Sequence, residues 1–87
     1  MISVYVLRSR GTGRRYVGIT NDLRRRINEH RRKETSAGRL LGDFEVLLTE
    51  SFPDHATARE REKFLKSGQG REWLDDITSG SGLASGE

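Results

Sequence analysis

The sequence predicts an α+β fold: a three-stranded antiparallel sheet flanked by helices, in the order β-β-α-β-α-α. Three observations point there. Two short runs rich in β-branched and aromatic residues, ISVYVL and RYVGI, flank a glycine-bearing turn. A third such run, FEVLLTESF, stops at Pro53. The intervening and following segments carry helical periodicity and capping residues, and no internal repeat is visible.

Taken in order, Ile2–Leu7 reads as the first strand, with Ile2, Val4 and Val6 on one face and Ser3, Tyr5 and Leu7 on the other. Ser9–Arg14 is a hairpin connection with two glycines. Arg15–Ile19 is the return strand, in which Gly18 signals a bend or a close backbone approach. Thr20, Asn21 and Asp22 offer N-caps for a helix that reaches about Lys33. Glu34–Phe44 reads as a loop with a short turn around Arg39–Leu41. Phe44–Phe52 is the third strand. Asp54 caps a second helix that closes near Gly68, its C-terminal end favoured by Lys63 and Lys66. Gly70–Ile77 forms a short last helix held by Trp73, Leu74 and Ile77.

A chain of 87 residues is one domain, expected over 1–77, with a flexible Ser/Gly-rich tail over 78–87. A core of that size is only marginally sufficient, so a metal or a partner would add stability. With no cysteine, disulfides and thiolate zinc sites are excluded, and a reducing, cytoplasmic setting fits. No apolar run is long enough to span a membrane, and the first ten residues lack the form of a signal peptide.

The net charge of +3 conceals a division. Residues 1–42 carry 11 Lys/Arg against 3 Asp/Glu, and residues 43–87 carry 5 against 10. Arginine outnumbers lysine 13 to 3. Its planar fork of donors matches phosphate oxygens, which points to nucleic acid, although a GC-rich genome would enrich arginine equally well.

Helical geometry separates the residues that could do chemistry from their neighbours. At about 100° per residue, Leu23, Ile27 and His30 form the inward stripe of the first helix. Arg26 falls at the edge of that stripe and Arg25 on the outer side. Arg26 could hold an anion beside the sheet, or simply snorkel over the core edge. On the second helix Ala58, Glu62 and Leu65 share the inward stripe, while Glu60 lies opposite, where the TARE segment fits a capping box. A carboxylate on an inward stripe needs a partner: Arg26 or another arginine, a hydroxyl, or a metal ion. Tyr5 and Tyr16 lie on neighbouring strands and can meet across the sheet, although core packing alone would place them there. His30 on an apolar edge is ordinarily a packed, hydrogen-bonded histidine. No zinc-site cluster, phosphate-binding loop or Ser/His/Asp order is present in the sequence.

The tripeptides Ser3-Val4-Tyr5 and Tyr16-Val17-Gly18, the helix NDLRRRINEH and the later segment AREREKFLKSGQGREWL together resemble the GIY-YIG nuclease family, in its small single-domain members. The resemblance spans residues 2 to about 77. The chain has Ser3 where the family name has glycine, valine at Val4 and Val17, Ile19 where some members carry lysine, and no asparagine after Asn28. The resemblance implies a metal-dependent DNA endonuclease whose catalytic residues are Tyr5, Tyr16, Arg26, His30 and Glu62. Glu62 would bind Mg²⁺ (or Mn²⁺) and Arg26 would neutralise transition-state charge. Tyr5 would act on the attacking water and Tyr16 would orient the phosphate, with the two roles exchangeable. Arg14, Arg15, Arg24, Arg31 and Arg32 would make sequence-blind contacts to the DNA backbone. All of this expects the two phenols, the guanidinium and the carboxylate to converge on one solvent-facing cleft. Specificity would come from the Glu34–Gly42 loop, a homodimer or a protein partner, in a setting of repair, recombination or mobile-element processing. The rival readings are a catalytically inactive nucleic-acid-binding module and a small protein-interaction domain.

Overall fold

The computed structural model describes residues 1–86, with side chains over residues 1–78. It contains β1 (Ile2–Ser9), β2 (Arg15–Thr20), α1 (Leu23–Arg31), α2 (Ser36–Leu41), β3 (Phe44–Phe52), α3 (His55–Lys66) and α4 (Gly68–Gly86). The strands form one antiparallel sheet, as the sequence predicts, and their order is β2-β1-β3. β1 lies between the two others, which explains why it is the most apolar of the three.

Alternation along β1 divides the core in two. Ile2, Val4 and Val6 join Val17 of β2 under Ala58 and Leu65 of α3 and Leu74 of α4. Tyr5 and Leu7 point to the opposite face and join Leu41 and Phe44, with Leu23 and Ile27 of α1 packed against them. Val4, Val6 and Leu7 are completely buried, and each contributes about 1.5–3 kcal/mol relative to exposure. Helices thus cover both faces, α1 and α2 on the tyrosine side and α3 and α4 on the valine side. A register step between Val6 and Leu7, which pair with Leu48 and Val46, leaves Leu47 as the extra residue of a bulge in β3.

The helix starts follow local chemistry. Asp22 caps α1, its Oδ1 accepting from the Arg25 amide at 3.1 Å. Asp54 caps α3, its Oδ1 accepting from both the amide and the hydroxyl of Thr57 at 2.8 Å. Thr57 is therefore inside the helix, so the capping box expected between Thr57 and Glu60 does not form and Glu60 is simply exposed. The segment expected as a loop with a turn contains α2, capped by Thr35, whose hydroxyl accepts from the Gly38 amide at 2.9 Å. The last helix begins two residues before the expected Gly70, and Thr78 bonds back to the Leu74 carbonyl at 2.7 Å. The side chains of the expected tail from Ser79 onward, and Glu87 entirely, lie outside the described residues.

Candidate functional site

Gly18 decides how the site begins. It pairs directly with Tyr5, and a methyl group on it would sit 2.3 Å from the Tyr5 ring and hydroxyl. The missing side chain lets the Tyr5 ring lie over β2 and reach α1. Tyr16 pairs with Leu7 one step along the same face, and the two tyrosine ring centroids are 6.1 Å apart. α1 brings His30 down onto both, with centroids 5.7 Å from Tyr5 and 5.6 Å from Tyr16.

The three rings are not equivalent. Tyr5 is 1% exposed and His30 2%, whereas Tyr16 is 36% exposed. The Tyr5 hydroxyl bonds His30 Nε2 at 2.8 Å, and His30 Nδ1 bonds the Thr35 hydroxyl at 2.6 Å. A neutral imidazole has one donor and one acceptor, so the chain Tyr5–His30–Thr35 is satisfied with the ring uncharged. Burial lowers the His30 pKa below its ordinary 6.5, and the Arg26 charge lowers it further, against a smaller opposing effect of Glu29. Burial likewise pushes the Tyr5 phenol well above 10.0, with the neighbouring Tyr16 phenol adding to the shift and Arg26 opposing it. A sealed phenol that resists ionisation is poorly suited to meet a water molecule, which bears on the role expected for Tyr5.

Arg26 acts electrostatically on both Tyr5 and His30 and is half-buried beside them, while Arg24 and Arg25 are exposed. Its guanidinium is held by Glu29 at 3.3 Å. Of the expected backbone contacts, Arg14, Arg24, Arg31 and Arg32 are exposed. Arg31 lies 5.1 Å from the Phe44 ring centroid, and Arg32 is 4.0 Å from Glu34. Arg15 is half-buried and bonded to Asp75 at 2.8 Å.

Glu62 makes its ion pair within its own helix. α3 packs on the valine face of the sheet, and among the described residues no hydrogen bond or ion pair joins Glu62 to Tyr5, Tyr16, Arg26 or His30. Its partner is neither an arginine nor a cluster of acids but Lys66, one turn on, whose Nζ donates to Oε2 at 2.9 Å. Of the groups expected to converge, the three rings and Arg26 are in mutual contact or electrostatic reach. A cleft of about 640 Å³ has both Tyr16 and Lys66, the partner of Glu62, in its lining. Among the described residues no group of three or more His, Cys, Asp or Glu is gathered as a metal cage.

Thr35 is the member of the site that the sequence reading missed. The signal was present: a threonine three residues before a glycine and directly ahead of Ser36-Ala37, which is an N-cap position once α2 is recognised.

Residues 1–73 match the GIY-YIG catalytic domain. The chain belongs to the GIY-YIG family. The fold agrees with that membership: a UPF0213 protein from Bacillus halodurans, solved in solution by NMR, superimposes with a TM-score of 0.54 at 31% identity, covering 88% of this chain and 85% of that one. None of the curated proteins matches the chain. GIY-YIG domains are nuclease domains, so the tyrosine, histidine and arginine cluster lies in a nuclease scaffold whose substrate class is nucleic acid. No helix of the described residues is long and apolar enough to cross a membrane.

Proposed function

We propose that this GIY-YIG protein is a metal-dependent endonuclease that hydrolyses phosphodiester bonds in DNA. The observation that supports it most is the ring cluster: one exposed phenol, Tyr16, backed by a sealed Tyr5–His30–Thr35 hydrogen-bond chain with Arg26 beside it.

In this reading Tyr16 receives the scissile phosphate and the attacking water, because it alone of the three rings faces solvent. Arg26, which acts electrostatically on the neighbouring Tyr5 and His30, puts positive charge beside the ring cluster. Arg26 also offers donors to the extra negative charge that builds on the phosphoryl oxygens. Tyr5 and His30 fix the ring geometry from below, and with its proton on Nδ1 the imidazole accepts from Tyr5 at Nε2. Arg14, Arg24, Arg31 and Arg32 hold the flanking backbone without reading sequence.

Glu62 would hold Mg²⁺ or Mn²⁺. Its donor set fits such an ion: Lys66 engages only Oε2, and Mg²⁺ commonly takes one or two carboxylates with the substrate's own oxygens completing its shell. When bound, the ion would neutralise the phosphate and stabilise the leaving oxygen. Lys66 on Glu62 also gives ground for a second reading, a nucleic-acid-binding module in which that pair is permanent.

A plasmid-nicking assay separates the two. Nicking in Mg²⁺ or Mn²⁺ that stops with EDTA and falls at least about 100-fold in Glu62→Ala supports the endonuclease. DNA binding with no nicking in any divalent ion supports the module instead.

A further inference from the structure

The cleft beside Tyr16 has a composition that the cluster of rings does not use. Every ionisable group that lines it, Tyr16 aside, is a cation: Arg15 from β2, Lys66 from the end of α3 and Arg71 from α4, over an apolar floor that includes Leu65 and Leu74. Two of these three come from the acidic half of the chain, so the sign of charge is reversed locally. Arg15 is tethered by Asp75 at 2.8 Å and Lys66 by Glu62 at 2.9 Å. Arg71 is exposed and forms no ion pair among the described residues.

We infer that this cleft binds a backbone phosphate of the nucleic acid next to the one at Tyr16, with Arg71 as its principal donor and Lys66 and Arg15 as its flanking cations. This rests on the nucleic-acid reading of the Tyr16 cluster. Three things carry it. Tyr16 belongs to the ring cluster and to the cleft wall, so a strand seated at Tyr16 runs on into the cleft. Arg71 presents an unoccupied planar fork, the geometry that pairs with phosphate oxygens. Each tethered cation is in an ion pair with at least one exposed member, Asp75 for Arg15 and Lys66 itself for the other, so an incoming phosphate can exchange partners with them. The second strand of the hairpin helps, because β2 is at the sheet edge and the turn residue on the cleft rim, Gly13, has no side chain to obstruct entry.

The test is binding of a short DNA duplex by titration calorimetry in EDTA, across a series of salt concentrations, so that no cleavage is needed. For Arg71→Ala the slope of log affinity against log salt should become shallower by about 1, the loss of a single phosphate contact. Asp75→Asn, which frees Arg15 from its carboxylate partner, should tighten binding. Arg59→Ala, exposed on α3 and outside the cleft, should leave the slope at the wild-type value. A wild-type slope in Arg71→Ala together with unaltered affinity in Asp75→Asn overturns the cleft while leaving the nucleic-acid reading intact. Absence of salt-sensitive binding by the wild-type protein overturns that reading, and the cleft with it.

Discussion

His30 shows how one buried side chain can tie stability to the state of the site. It is bonded through both ring nitrogens and is satisfied when neutral, and burial first, then Arg26, hold its pKa below 6.5. The unfolded chain therefore binds a proton that the folded chain refuses. Stability from this group is complete above about pH 6.5 and declines as pH falls from there toward the lower folded pKa. Urea titrations between neutral pH and pH 5 should show that decline in the wild type and a flatter profile in His30→Gln; identical profiles would remove His30 as its source. Much of this was readable beforehand, since helical spacing alone put His30 inward and Arg26 at the edge. Two contacts were not. Thr35 was hidden because α2 is only six residues long and its apolar positions, Leu40 and Leu41, sit side by side without a period. Lys66 was overlooked because an inward carboxylate invites a search for distant arginines, while its i,i+4 neighbour was nearer.

At the scale of elements, β1 and β2 make the site by packing against each other with nothing between them. Tyr5 lies across Gly18, and the fit leaves no room for a methyl group. Gly18→Ala should cost roughly 1–3 kcal/mol, the typical penalty for overfilling a packed core, and should also displace the Tyr5 hydroxyl from His30. Chemical denaturation reads the first effect. The imidazole proton resonances of His30 read the second, and a variant with wild-type stability and unshifted resonances would contradict the packing described. Strands and capping aspartates were legible because their signals are local: alternation in β1 and β3, Asp22 ahead of α1, Asp54 ahead of α3. The TARE capping box failed for the opposite reason. Asp54 satisfies the Thr57 amide and hydroxyl together, which places the cap three residues earlier than the box allows.

For the molecule as a whole, the sheet is a partition. Its tyrosine face carries the rings and the basic helix α1 with Arg26; its valine face carries α3 and α4. Sequence periodicity identified the inward residues of each helix but does not say which face of the sheet each helix covers; that α1 and α3 pack on opposite faces is a tertiary outcome. At the β2 edge Tyr16 borders the cleft lined by Lys66 and Arg71, which joins the two sides. The partition also sorts the chromophores. Trp73, the sole tryptophan, stacks under Arg61 at 4.6 Å and meets Phe64 between α3 and α4, whereas both tyrosines belong to the other side. Emission excited at the red edge of the indole band will thus watch one half of the protein, and near-ultraviolet tyrosine ellipticity the other. On gentle heating the two optical signals should melt together if the halves come apart as one unit, and separately if α1 and α2 peel away first.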